Sequence, residues 1–591
     1  MQVSRMNFLS AKKEKGNTIL MVVVLMAVVV LLGGAALSIA RNQGLSVNTF
    51  MASYDAMRNA ETGYNKYLWE FNHNGTFYSD TDKYQLASED SQKRIYKPIA
   101  TAHADNYRVE IEIPMVQVGS QSMPSSNQAF VRSTGWSPKS PSQQRTLQVE
   151  LVKRSFAQFA MITDDNRDES GTAIYWVSGE SLYGPLHTNG TLFISGSPKL
   201  CGPVSYYGAV NPTSYQNNPP SSIFRGGLTH VSSTIPWPNA NTKLLAQARI
   251  ANKGHYYKGR TCIMLRGDQY DVRCWDADTG SWKYDNIAYQ YAPTGSNENQ
   301  KSQNAEKEYG NYKIPSIPAF SFTGSFSDFR NATYQSEPIF TSLPLPDNGV
   351  IYVDGSPASS DTNDLYGNNT AYGSKFSPAF GNLFISGQLE GQLTVAAAND
   401  IFLTAYDPTD WRNPNPQGTG VILPVTGGIT YSNTTFAPNV SGGVWASTTV
   451  NGSDMLGLVG DRKIRILHYD WPRQLPNPAG TTTEYWGGNS SSSRIDMARS
   501  NYTIHAAMFV RRSTYGYEFP TEGSDKGNLT VFGSIAQRLR GIVGQDPAGY
   551  TKQYYHDPRM LYTTPPYYVQ PGQTGWQVGE WKEIYTPVAQ E

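Results

Sequence analysis

Asn382-Leu-Phe-Ile-Ser-Gly387 is a polar residue, a short strand pattern and a closing glycine. Thr191-Leu-Phe-Ile-Ser-Gly196 and Asn528-Leu-Thr-Val-Phe-Gly533 repeat the design. Between the last two units lie Leu393-Thr-Val-Ala396, Ile401-Phe-Leu-Thr404 and Gly428-Ile-Thr-Tyr431. Short strands broken by Gly, Asn or Asp at intervals of about ten residues fit the coils of a right-handed parallel β-solenoid. An ordinary β-sandwich is the competing reading. The return of the unit and the scarcity of hairpin-type Asn-Gly turns favour the solenoid.

Toward the N-terminus the pattern changes. Asn17 to Ala40 is a run of 24 uncharged residues, enough at about 1.5 Å per residue to span a hydrocarbon core of roughly 30 Å. Lys12, Lys13 and Lys15 precede it and Arg41 follows it, which favours a cytoplasmic N-terminus with the bulk of the chain outside. The run is long for a secretory signal, although Ser38-Ile-Ala40 has the small residues of a cleavage site. Val47, Phe50, Met51, Tyr54, Met57, Tyr64, Leu68 and Phe71 then recur at helical spacing, and no proline interrupts residues 17–72. One helix is expected, half in lipid and half packing this stripe onto a following domain. Tyr107–Ile113, Ala129–Arg132 and Thr146–Val152 read as strands of a small antiparallel sheet that covers the helix.

The balance of 48 basic and 48 acidic residues gives no reason to propose nucleic acid as a partner. Length and composition suggest several domains rich in β-structure and turns. The three cysteines, Cys201, Cys262 and Cys274, do not form a disulfide scaffold or a zinc motif. A hairpin centred near Asp268 would put Cys262 opposite Cys274 and allow a bridge; two unpaired thiols are the alternative.

Lysines before Gly16, then Asn17-Thr-Ile-Leu20, an apolar helix and Asp55-Ala-Met-Arg-Asn-Ala-Glu-Thr-Gly63 resemble the N-terminus of type IV minor pilins and pseudopilins. The resemblance covers about the first quarter of the chain. It implies a leader cut after Gly16 by a prepilin peptidase, methylation of Asn17, and partners among other pilin-like subunits and their assembly machinery. Major pilins carry glutamate at the fifth mature position, where this chain has Met21; some tip-located minor members also lack it. Gly184-Pro-Leu-His-Thr-Asn-Gly190, Ser453–Gly460, Leu529–Gly544, Gly549–Arg559 and Pro565-Pro-Tyr-Tyr568 are similar to a bacterial family of unknown function. Its members join a pilin-like helix to a large β-rich exterior domain, which implies architecture but no activity.

Catalytic signals are weak. Asp164, Asn166 and Asp168 begin like a calcium loop, but Glu169 stands where glycine is needed and Tyr175 where the bidentate glutamate is needed, so an exposed turn is expected. His187 has no carboxylate or nucleophile beside it in sequence and reads as a turn residue bonded locally. Nucleophile elbow, zincin helix and phosphate-loop motifs are missing, although a glycosidase can draw its two carboxylates from anywhere in a chain. Arg538 and Arg540 should share a face opposite Leu539, either contacting an anionic glycan or pairing with carboxylates. Tyr206-Tyr207, Tyr554-Tyr555, Tyr562, Tyr567-Tyr568, Trp576 and Trp581 are either an exposed sugar-stacking surface or rings packed under loops.

The expected organisation is a leader at 1–16, a transmembrane and stem helix at 17–72, an antiparallel β region at 73–155 and a solenoid start at 156–253. An insertion at 254–329, with a polar loop at 294–304, precedes a solenoid continuation at 330–560 and a C-terminal tail at 561–591. The expected function is a non-enzymatic, minor pilin-like surface subunit, anchored through residues 17–40 and without metal or cofactor. A membrane-anchored β-helix that binds or cleaves a polysaccharide is the alternative, with a surface glycan as partner.

Overall fold

The computed structural model describes residues 17–73, 77–99, 106–118, 121–125, 127–259, 261–274, 277–278, 281–282, 340–355, 381–409, 428–441, 444–470, 495–496, 498–571 and 575–584. Gly16 and the 294–304 loop lie outside these residues. A single helix runs from Asn17 to His73, about 85 Å long at 1.5 Å per residue. It is long and apolar enough to cross a membrane, and no residue of its most apolar stretch is buried.

The second half packs on an antiparallel sheet through only part of the expected stripe: Phe71 is buried, and Met57, Tyr64 and Leu68 pack partly buried against the same core. Val47, Phe50, Met51 and Tyr54 are exposed, whereas Ala52, Ala56, Ala60, Tyr67 and Phe71 are buried. The buried positions fall three or four apart once Gly63 is added, and from residue 52 to residue 63 the seat is made of small residues. A large side chain there would hold the helix away from the sheet, and the close approach is visible at Gly135: a Cβ on it would stand 2.2 Å from the Ala56 carbonyl oxygen and 2.3 Å from the Ala60 nitrogen.

The sheet runs Tyr84–Glu89, Lys93–Pro98, Tyr107–Val118, Gln128–Ser137, Ser140–Val152 and Gln577–Ile584, with Gln121–Pro124 beside Tyr107–Val118. Its last strand comes from the C-terminal segment, which was expected to be a tail. Trp576, just before that strand, lies 4.6 Å from Phe71 between ring centroids, and its buried indole gives the segment an anchor in the helix–sheet core.

Beyond Val152 the pairing is dominated by parallel ladders. One contains ten strands in the spatial order His255–Lys258, Val350–Asp354, Gln392–Ala397, Met455–Gly460, Tyr502–Val510, Asp525–Leu539, Met161–Asp165, Leu186–Thr188, Val204–Tyr206 and Leu228–His230. A second links Thr261–Gly267, Leu383–Leu389, Gly428–Tyr431, Tyr502–Val510, Asp525–Leu539, Ala548–His556, Ser181–Tyr183 and Lys199–Leu200. Alternate apolar residues of these strands fill one continuous core, as period-two burial requires. The antiparallel pairing of a β-sandwich is confined to short strand pairs at the margins of the ladders in this part of the described chain.

The rung order is not the chain order. The chain enters at Met161, beside the late strand Asp525–Leu539, and runs outward to Leu228–His230. It then crosses back to start again at His255 at the far end of the ladder. On the return, the Trp237 indole stacks on Phe509 at 5.2 Å and donates to the Arg511 carbonyl at 2.8 Å. The strands His255–Lys258 and Thr261–Gly267 therefore belong to the ladders, not to the expected insertion.

The hairpin turns at Gly267-Asp268 with Arg266 paired to Gln269. Cys262 then lies across from Arg273, and Cys274 across from Thr261. The register is one step off the opposition expected of the two cysteines, and Cys262 is a free thiol.

Gly135→Val should drive the helix off the sheet and lower unfolding stability by about 1–3 kcal/mol. Gly44→Ala, where an added Cβ meets nothing within 4 Å, should hold or raise stability by up to about 1 kcal/mol. Paired denaturant titrations of the two variants check this.

Candidate functional site

The junction between early and late rungs gathers side chains from distant parts of the chain. After the strand Met161–Asp165, the Asn166 amide turns inward, donating to Thr188 Oγ1 at 2.8 Å and to the Thr191 carbonyl at 2.9 Å. This fixes the loop that carries Asp168, Glu169 and Ser170 outward. Asp168 Oδ1 accepts from Ser170 N, Ser170 Oγ and Thr172 N within 2.9 Å, so the loop is closed by its own carboxylate. Among the described residues, no group of three or more His, Cys, Asp or Glu side chains is arranged to hold a metal.

A cleft of about 320 Å³ opens beside this loop, lined by Asp168, Glu169, Ser170, Lys463, Arg465, Thr514, Gly516, Tyr517, Pro520, Arg540, Gly541 and Ile542. Gly541 is required where it stands, because a Cβ there would lie 1.8 Å from the Tyr515 carbonyl oxygen. The strand Ile464–Ile466 puts its two isoleucines in the core. Lys463 and Arg465, at the alternate positions, project the other way.

Buried cations and carboxylates then interlock. Asp400, 1% exposed, accepts from Arg462 Nε at 2.8 Å, Arg462 Nη2 at 2.7 Å and Arg465 Nη2 at 2.6 Å. Burial pushes the Asp400 carboxyl up, but Arg465, Arg462 and Lys463 outweigh it and hold its pKa at about 2. Lys463 and Ser513 both donate to Glu169. Burial pushes the Lys463 ammonium down and Arg465 pushes it further, while Glu169 and Asp400 oppose this, leaving it at about 7.

Arg538 and Arg540 do not share a face. Arg538 is half exposed, 3.7 Å from Asp164. Arg540 turns inward after the strand ends at Leu539, and its guanidinium lies 4.2 Å over the buried Trp176 ring, 3.9 Å from Glu180. Burial lowers its pKa to about 10, with Glu180 and Tyr554 opposing, so the charge persists at neutral pH. Lys552 also pairs with Glu180. The acidic stretch expected to be an exposed turn thus supplies Asp164 and Glu169 to cross-junction contacts.

His187 lies on a strand, not in a turn; its ring nitrogens face Ser205 Oγ at 2.8 Å and Asn189 Oδ1 at 3.1 Å. The aromatic residues divide. Tyr206, Tyr554, Tyr568 and Trp576 are buried, while Tyr207, Tyr562, Tyr567 and Trp581 are exposed. Tyr183 stacks on Tyr555 at 4.8 Å. Lys463 and Arg465 escaped sequence reading. Their signal is Arg462-Lys-Ile-Arg-Ile466, where charge alternates with core-forming isoleucine.

Residues 107–208 match a family described as a domain of unknown function (DUF4900), a span from the antiparallel sheet into the first parallel rungs. No curated protein matches the chain in sequence. Among solved structures, the competence-associated pilin ComZ from Thermus thermophilus matches at 9% identity and a TM-score of 0.23, with 91% of this chain and 98% of that chain covered. Likeness at that level fixes neither fold nor function.

Asp400→Asn leaves Arg462 and Arg465 buried without their counter-charge and should cost about 3–5 kcal/mol. Glu89→Gln, which breaks the exposed Arg94 pair, should cost under about 1 kcal/mol. Because the folded pKa of Asp400 is depressed from 3.8 to about 2, its contribution is full above pH 3.8 and is lost as pH falls through about 2. Unfolding curves against pH should show that loss in the native chain and a flatter acid limb in Asp400→Asn.

Proposed function

We propose that the protein is a non-enzymatic, minor pilin-like subunit that carries a β-solenoid ectodomain to the cell surface. The helix supports this reading above all: one half is bare and apolar, while the other is built into an antiparallel sheet through a small-residue seat. A helix divided in this way can sit in lipid or bury its bare half against similar helices while keeping its exterior load. The continuous parallel ladders support stacked solenoid coils, and the strong preference for right-handed parallel crossovers supplies their hand.

In this reading the leader is removed after Gly16 by a prepilin peptidase, and Asn17 becomes the methylated first residue of a stem with its N-terminal end toward the cytoplasm. Assembly replaces lipid contacts with contacts to other pilin-like stems, guided by the membrane assembly machinery. The ectodomain is then displayed for adhesion or for pilus assembly.

Mass spectrometry of the N-terminal peptide from protein recovered from its own cells tests the reading. A peptide starting at N-methylated Asn17 is expected. An intact leader, or a chain starting at Arg41, would overturn it.

A further inference from the structure

The cleft beside the junction has hydrogen-bond donors to spare. Asp400 takes three donors from Arg462 and Arg465, Glu169 takes Lys463 and Ser513, and Glu518 Oε2 takes His468 N. Arg465 Nε and Arg540 Nη2 are buried and donate to nothing, although both side chains line the cleft and are more than nine-tenths buried. The carboxylate nearest Arg540 Nη2 is that of Glu180, 3.9 Å away. A buried guanidinium N–H without an acceptor is costly, and an oxyanion is the partner that suits it best.

The mouth narrows the choice of ligand. Glu169 and Ser170 are exposed at the rim beside Asp168 and Thr514. These carboxylates would repel a small multiply charged anion but accept hydrogen bonds from hydroxyl groups. Tyr517, Pro520 and Ile542 supply apolar wall, which suits the C–H face of a ring. At about 320 Å³ the cleft is near the lower end of the roughly 300–1,000 Å³ span of ligand pockets, room for one or two sugar rings.

We propose that this cleft binds a carboxylated sugar unit of an acidic polysaccharide, with the sugar carboxylate meeting Arg465 and Arg540 and its hydroxyls meeting the Asp168–Ser170 rim. The site is independent of how the helix is processed, so its failure leaves the pilin-like reading untouched.

Isothermal titration of the full chain in detergent micelles, with a uronate disaccharide, its neutral counterpart, and inorganic phosphate and sulfate, tests the assignment. The uronate should bind at least about tenfold more tightly than the neutral sugar and either inorganic anion. The double variant Arg465→Lys/Arg540→Lys keeps both charges but removes the planar donors, and should weaken uronate binding by about tenfold or more. Ser170→Trp closes the mouth from an exposed loop without touching the buried pairs and should abolish binding while circular dichroism stays native. Absent uronate binding, equal binding of the neutral sugar, tighter binding of phosphate or sulfate, or native affinity in Ser170→Trp would overturn the proposal.

Discussion

The ladder regions depend on the two pairings that join early rungs to late ones, Ile535–Leu539 with Met161–Asp165 and Gln553–Tyr555 with Ser181–Tyr183. Because the chain enters the ladders at an interior rung, residues 161–230 and 255–556 would otherwise form two separate stacks, each with an open parallel edge. An open edge is a template for unwanted pairing, and here the two edges cover each other. The partners are some 370 residues apart in sequence. The closure entropy of such a contact must be overcome before the contact contributes any stability. The junction is therefore the part of the fold with the least local support.

The concentration of charge at that junction follows from its register problem. Strands buried on both faces, such as Leu186–Thr188, Ile401–Leu403 and Ile464–Ile466, look alike, and a slip of two residues would keep each side chain on its own face. Backbone pairing alone cannot distinguish these registers. The pairs Glu169–Lys463 and Glu180–Lys552 can, as can Arg540 over Trp176, because a slip would strand buried charge. Buried ion pairs add little net stability compared with apolar packing, but breaking one is expensive. That asymmetry suits a joint whose task is to select one alignment.

Much of the architecture was legible in local pattern. The uncharged run and the absence of proline specify the long helix, and alternation specifies the strands at 107–152 and at 383–431. What escaped was decided by partners remote in sequence. The helix was assigned the stripe of its largest apolar residues, yet the seat uses Ala52, Ala56 and Ala60 because Gly135 lets the backbones approach. No pattern within residues 47–71 reveals Gly135. The strand at Gln577–Ile584 has no partner in its own neighbourhood and finds one in Ser140–Val152. The cleft was the least visible feature: Arg540 was recognised as charged, but its inward turn depends on Trp176 and Glu180, more than 350 residues earlier.

The same topology determines how the ladders hang on the stem. The chain leaves the antiparallel sheet at Val152 and returns to it at Gln577, and these two residues face each other in the register. Tyr562 ties the returning segment down, its carbonyl accepting from Ser125 Oγ at 2.9 Å and Asn127 N at 3.1 Å. A pull on the ladders therefore draws the paired ends of two neighbouring strands in the same direction. It does not peel one from the other; it shears both against what lies beside them. For Ser140–Val152 that neighbour is Gln128–Ser137, the strand whose Gly135 lies against the helix backbone. Load applied to the ladders is thus delivered to the helix through a ladder of backbone hydrogen bonds that must break together, which is a stronger coupling than a single flexible linker would provide.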